Sequence, residues 1–247
     1  MWNKIGLILV FSVSFLTVLG AADRSFPIPP QPADKKSKDY GRYLIHVRPT
    51  LPASVTNDDP LTPYTERIKP QKGSISEWFF IHVAFPVYSP GKSGAWPEWL
   101  DDVDVMVEVC IPGRNKKGKM SYVVLQGRQK LNSMFANDET HHVRFFIPPY
   151  AIFRYIVGLQ EKTDLKKLAD EFPVLVSITW AGQTSRILKT KETDPAKRVN
   201  IVNMFEKLRD SKSNYYDNVI LPAEYTPWAA RDLERFESMK IEKSGSR

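Results

Sequence analysis

The 247-residue sequence is poor in the side chains from which covalent staples and reaction centres are made. Its single cysteine, Cys110, excludes an internal disulfide, and no Asn-x-Ser/Thr acceptor for N-glycosylation occurs. A secreted eukaryotic domain of this size more often carries paired cysteines, so both absences favour a bacterial envelope protein. Histidine is scarce, at 4 residues. His141 and His142 are adjacent, so on a strand they leave opposite faces and cannot chelate one ion, while His46 and His82 stand alone. There is no Gly-x-Ser-x-Gly elbow, no phosphate-cradling glycine loop and no His-Glu-x-x-His motif. Asp101, Asp102 and Asp104 lack the glycine-bearing loop that wraps calcium, and Asn57-Asp58-Asp59 reads as a turn. Cys110 has no neighbouring cation or helix N-terminus to activate it and reads as a packed thiol. No catalytic residue, metal site or cofactor is therefore expected. Carboxylates that meet only in space leave a hydrolase as the remaining enzymatic reading.

Long apolar runs are equally few. Residues 5–19 form one, preceded by Lys4 and followed by Gly20-Ala21-Ala22, the three parts of a secretory signal. Cleavage after Ala22 would leave a mature chain starting at Asp23. The competing reading, an uncleaved anchor, has roughly 15 apolar residues where about 20 span a bilayer. No cysteine follows the run, so there is no lipid attachment site. The formal charge of +7 falls to about +6 if Lys4 leaves with the signal, a surplus that serves solubility or contact with anionic polymers and membrane surfaces. The basic turn at 114–119, with Arg128 and Lys130, reads as a solvated hairpin tip in an exported chain, and no nucleic acid is expected as a partner.

What the sequence has in quantity is short alternating segments, broken by 19 prolines. Val103, Val105, Val107, Val109 and Ile111 alternate with Asp102, Asp104, Met106, Glu108 and Cys110, so residues 99–111 form a half-buried strand. Strands are also expected at 40–48, where Tyr43, Ile45 and Val47 share a face, and at 143–147. Residues 120–126 pair as a hairpin with 99–111, 174–180 with 185–191, and 64–68 allow one short edge strand. Residues 77–85 are apolar on both faces, as a central strand or one packed in an oligomer is. Residues 150–159 suit a short helix behind Pro149 and also a strand, a short helix or irregular crossing being preferred. Thr163 caps a clearer helix that ends at Pro173.

From Asp194-Pro195 a helix carries Ile201, Met204, Phe205 and Leu208 on one face. A strand or extended crossing follows at 214–221, and Thr226-Pro227 opens a last helix with Trp228, Leu233 and Phe236. About seven strands without βαβ alternation point to a mainly β fold, an immunoglobulin-like antiparallel β-sandwich with a C-terminal helical extension. The expected divisions are a signal peptide at 1–22, a proline-rich arm at 23–38, the sandwich at 39–192 and the helical extension at 193–247.

This order of parts, with the segments 77–85 and 174–180, resembles secreted immunoglobulin-like accessory proteins of bacterial type IV pilus-like envelope assemblies. The resemblance implies a non-enzymatic, oligomeric envelope or pilus-associated component with no catalytic residues. The chain departs from pilin subunits, whose longer apolar assembly helix stays in the mature protein. The expected role is protein–protein contact with envelope or pilus-associated proteins, or with further copies of the chain, in the periplasm, at the outer membrane or outside the cell. Trp78 and Phe80, if residues 77–85 lie at a sheet edge, and Trp228, Leu233 and Phe236 are the candidate contact residues. The alternative is a carbohydrate- or mucin-binding module in which Trp96, Trp99 or nearby tyrosines stack on a glycan, against the competing use of tryptophan in core packing.

Overall fold

The alternating valines belong to strand β3 (Trp99–Arg114), which pairs antiparallel with β4 (Met120–Phe135) from Trp99 opposite Phe135 to Arg114 opposite Met120. Val103, Val105, Val107, Val109 and Ile111 are completely buried. In this computed structural model the described residues are 26–50 except 33 and 35, 78–114 except 92, 93 and 95, 117, 120–156 and 164–226. The signal segment, the edge strand expected at 64–68, Thr163, and the last helix with Trp228, Leu233 and Phe236 lie outside them. Strand β4 runs nine residues past its expected end at Gln126, to Phe135. Gln129 and Leu131 continue its inward alternation there, which Gly127 interrupts in the sequence.

The fold is mainly β, with its strands in two sheets. A five-stranded sheet has the order β7-β6-β3-β4-β8, where β6 is Val174–Trp180, β7 Gln183–Lys189 and β8 Tyr215–Tyr216. The β6–β7 turn is two residues, Ala181 and Gly182, both with positive φ (48° and 78°), the handedness that matches the twist of a tight hairpin. A four-stranded sheet has the order β1-β2-β5-β9, with β1 Leu44–Thr50, β2 Trp78–Pro86, β5 Thr140–Ile147 and β9 Leu221–Pro222. Strand β1 continues through Pro49, tolerable because its outer side forms no ladder. The inner faces of the two sheets meet in one core, where Phe79, Ile81, Val83, Phe85 and Phe145 pack with the β3 valines, Val176 and Ile178.

Three α-helices accompany the sheets among the described residues. Helix α1 (Pro149–Tyr155) starts with Pro149 in its first turn, so this part of the ambiguous segment is helical. Helix α2 (Leu165–Glu171) is capped by Asp164, whose carboxylate accepts from the Lys167 amide at 3.1 Å, one residue beyond the expected Thr163. Helix α3 (Pro195–Ser211) begins as expected at the Asp194 cap. It packs on the outer face of the five-stranded sheet, where Phe205, Ile201, Met204 and Leu208 cover Cys110, Val124 and Leu175.

Non-repetitive chain closes both flanks of the paired sheets. At the β1/β7 flank, the proline-rich arm is docked over residues 26–32 instead of standing free. Ile28 is fully buried, and the Pro29 carbonyl accepts from the Tyr43 hydroxyl at 2.9 Å and the Ser185 hydroxyl at 2.8 Å. At the opposite flank, β8 pairs with β4, the Val219 and Ile220 amides donate to the Gln126 carbonyl at 2.9 and 3.1 Å, and β9 then pairs with β5. One segment is thus stitched to both sheets. It crosses so close over Gly127 that a Cβ there would sit 2.3 Å from the Ile220 carbonyl oxygen. Replacement Gly127→Ala is expected to lift this crossing and cost about 1–3 kcal/mol, read as a lowered urea midpoint with early loss of amide-exchange protection at Val219 and Ile220.

Candidate functional site

The outer face of the five-stranded sheet is divided by α3. Under the helix, Glu108 of β3 is completely buried, and burying a carboxylate is costly unless its oxygens are matched. They are matched by Arg209 of α3, whose Nε donates to Oε1 at 3.0 Å and whose second nitrogen donates to Oε2, and by the Tyr215 hydroxyl, which donates to Oε1 at 2.7 Å. The hydrogen bond to Glu108 raises the Arg209 pKa. Burial, then the bond to Glu108, raises that of Tyr215. A carboxylate so held is an anchor and has no free face for proton transfer to a substrate. Beside it, burial pushes the Cys110 thiol up to about 12, which keeps it protonated and unreactive.

The uncovered half of that face is polar. Arg128 of β4 forks onto Asp104 of β3, with Nε to Oδ1 at 2.6 Å, Lys130 meets Asp102 at 2.7 Å, and the Thr179 and Thr184 hydroxyls share a hydrogen bond at 2.9 Å. All of these residues except Thr184, together with Trp180, Ala181, Gly182 and Asn218, line an open groove of about 570 Å³. Asp101 turns elsewhere, accepting from the Ser133 hydroxyl at 3.0 Å. The three neighbouring acids therefore do not converge on one point.

The outer face of the four-stranded sheet carries different chemistry. Its register sets His46 of β1 opposite His82 of β2, and His82 opposite Arg144 of β5. His82 Nε2 and His142 Nδ1 share a hydrogen bond at 2.9 Å, and their rings stack at 5.1 Å. Burial first, then the charges of His142, Arg144, His46 and Arg48, lower the His82 pKa to about 4. Arg48 lies 5.1 Å over the Phe80 ring, Phe80 is 5.3 Å from Phe146, and Trp78 meets Phe146 edge-on at 6.3 Å. His141 points the other way, into the core beside Phe85. Three histidines far apart in sequence are thus neighbours, a clustering that only the strand register discloses. Among the described residues no group of three or more His, Cys, Asp or Glu could hold a metal ion.

The candidate contact residues separate on this frame. Trp78 and Phe80 are half-buried on β2, which lies between β1 and β5, so the strand is central and the edge contact expected of it is not available. Trp96 is 6% exposed and donates from its indole nitrogen to the Tyr88 carbonyl at 3.2 Å, so it packs in the core and offers no stacking plane. Trp99 is 47% exposed and meets its cross-strand partner Phe135, itself 39% exposed, in a tilted ring contact with centroids 4.9 Å apart. A strict period of two would have buried Trp99 with the β3 valines. Asp102 adopts a left-handed backbone (φ 59°), which exchanges the faces, so that Leu100 enters the core and Trp99 leaves it. Phe135 was out of view because β4 runs past its expected end. Tyr150 and Phe153, one turn apart on α1, are also exposed.

No protein-family model and no curated protein matches the chain. Among solved structures, the chain is similar to a crystal structure from Akkermansia muciniphila, at 16% identity and a TM-score of 0.42 over 81% of this chain and 95% of that one. It is also similar to Spo0M, a sporulation control protein from Bacillus subtilis, at 9% identity and a TM-score of 0.24 over 66% of this chain and 55% of that one. At these TM-scores neither likeness bears on function. No helix among the described residues is long and apolar enough to cross a membrane.

Two outcomes follow from these environments. Arg209→Ala strands the buried Glu108 carboxylate and is expected to cost about 3–5 kcal/mol, against about 1 kcal/mol or less for Arg128→Ala at its more exposed pair, both read from urea unfolding. His82 titrates at its ordinary 6.5 when unfolded and at about 4 when folded. Between those values the unfolded chain binds the proton first, so stability present above pH 6.5 is lost as pH falls toward 4. Thermal midpoints measured across that window should fall for the native chain and fall less steeply for His82→Gln.

Proposed function

We propose that this chain is a non-enzymatic exported protein of a bacterial cell envelope that acts through protein–protein contacts in a pilus-associated assembly. The observation that carries the reading is the Trp99–Phe135 pair. Two large aromatic rings are held against each other at the end of the β3/β4 ladder, backed by the buried Leu100 and Met134, with much of their area left to solvent. Water gains nothing from such a pair, whereas a rigid aromatic anchor is what a protein interface uses most. The ionisable groups give less support to an enzyme: Glu108 is consumed by Arg209 and Tyr215, Asp104 by Arg128, and Cys110 stays a thiol.

The remaining parts of the reading rest on layout. The immunoglobulin-like reading is supported by taking β1, β2 and β5 as strands A, B and E, and β7, β6, β3 and β4 as G, F, C and C′, an assignment that leaves β8 and β9 outside it. Export rests on Lys4, the apolar run at 5–19 and Gly20-Ala21-Ala22. The partners are envelope or pilus-associated proteins or a second copy of the chain.

Crosslinking and affinity capture of the tagged full-length protein from its own cells tests the role. Defined envelope proteins, or the chain itself, should be recovered with the native sequence and lost with Trp99→Ala/Phe135→Ala, whose thermal midpoint should stay close to native. Recovery of no defined partner, or of the same partners with the double variant, rejects the proposal.

A further inference from the structure

We propose that residues 227–247 of this chain dock across the outer face of the four-stranded sheet, laying Trp228, Leu233 and Phe236 over Trp78, Phe80 and Phe146. Strand register puts Trp78, Phe80 and His82 of β2, Arg144 and Phe146 of β5 and Leu221 of β9 on that face. Phe146 stands outside the core shared by the two sheets, yet it is only 3% exposed. Phe80 and Trp78, with ring centroids 5.3 and 6.3 Å away, and the cross-strand partner Leu221 shield the sides of its ring. Side-by-side residues on one sheet face do not close over an outward-pointing ring, whereas a layer above the sheet does. Trp78, Arg144 and Phe146, and Thr226 at the end of the described chain, each make a further interaction, as residues beneath such a layer would.

The chain's own course supplies the occupant. After β9, the edge strand of this sheet, a 3₁₀ turn (Ala223–Tyr225) packs against β5, and the Thr226 hydroxyl donates back to the Ala223 carbonyl at 2.7 Å. The residues that follow therefore start at the rim of this face, while the other sheet already carries α3. Over 227–239, helical spacing sets Trp228, Ala229, Leu233, Phe236 and Met239 on one side, and Asp232 falls among them. At ~1.5 Å per residue that stretch reaches about 20 Å, enough to cross four strands spaced about 4.8 Å apart. The charges agree. The described residues of the face hold Arg48, Arg144 and three histidines and no carboxylate. A carboxylate carried onto an aromatic layer must meet a cation, so Asp232, with Glu237 at the margin of the same side, matches that face. Residues 51–77 also border Trp78 but show no apolar periodicity to lay on its rings.

This docking is separate from the Trp99–Phe135 surface, so either reading can fail while the other stands. The test places a benzophenone side chain at Phe236 in the full-length protein, irradiates it at low concentration and maps the crosslinked peptides. Crosslinks should join position 236 to β2 or β5 of the same molecule. Hydroxyl-radical footprinting is the second measurement: Leu233→Asp/Phe236→Asp should raise oxidation of Trp78, Phe80 and Phe146 severalfold and leave Trp99 and Phe135 as in the native chain. If that double variant loses its fold, shown by oxidation of the buried Trp96 as well, the photocrosslink decides. Crosslinks to other elements, to a second copy or to nothing, or unchanged oxidation of the three rings in a folded double variant, overturn the inference.

Discussion

The carboxylate of Glu108 is the constraint on which much of this architecture depends. It sits on the outer face of a central strand, where an uncovered sheet would leave it in water, and it is instead completely buried. A carboxylate in that position must be met by charge and hydrogen bonds, and its two principal partners come from consecutive parts of the chain, Arg209 near the end of α3 and Tyr215 in β8. Satisfying one side chain therefore fixes where the helix lies and where the chain leaves it. The apolar contacts of Phe205 with Cys110, Val124 and Leu175 supply attraction without direction, and the bidentate pair supplies the register.

The described chain from Tyr215 to Thr226 inherits that placement. The chain can run along β4, drop past Gly127 and join β5 because Tyr215 starts it beside Val124, and Gly127 leaves space for the crossing. The result is a tie between sheets that share a core but no strand pairing with each other. The arm does the corresponding work on the other flank through the Pro29 carbonyl, which receives Tyr43 before β1 and Ser185 of β7 at once. Edge strands are the usual hazard of layered β proteins. Here residues outside the long strands attach at both flanks, which turns two sheet edges into internal seams over part of their length.

The strand pattern was legible because burial on one face imposes a period of two, and β3 shows how far that reaches. Its five valine and isoleucine positions were readable one by one. Its outer face was not, since Glu108 and Cys110 alternate outward as expected yet are covered by a helix nearly a hundred residues later, and alternation carries no information about what lies above a sheet. Asp102 marks a second limit. A single left-handed residue reverses the inward and outward sets, and an aspartate in a strand does not announce that it will take that conformation. Trp96 and Trp99, three residues apart and equivalent as sequence, consequently end with opposite fates. The histidine cluster and the groove were invisible for another reason: both are assembled by registers between strands, which local pattern constrains only where a tight turn such as Ala181-Gly182 sets them.

The two outer faces that result differ in how they respond to their surroundings. On the four-stranded sheet, Arg48, Arg144, His46, His82 and His142 are neighbours with no carboxylate among the described residues of that face, so the field there is positive and grows as histidines protonate. His82 resists protonation first because it is buried and then because Arg144 and Arg48 are beside it, so protonating it would disturb its hydrogen bond with His142. On the five-stranded sheet the charges are paired within the face, and Asp104 is held by a guanidinium that stays protonated at every relevant pH. A drop in pH through the His82 transition therefore acts on the four-stranded face. The layer of Phe79, Ile81 and Val107 separates the two faces, so His82 and the Asp104–Arg128 pair have no direct contact.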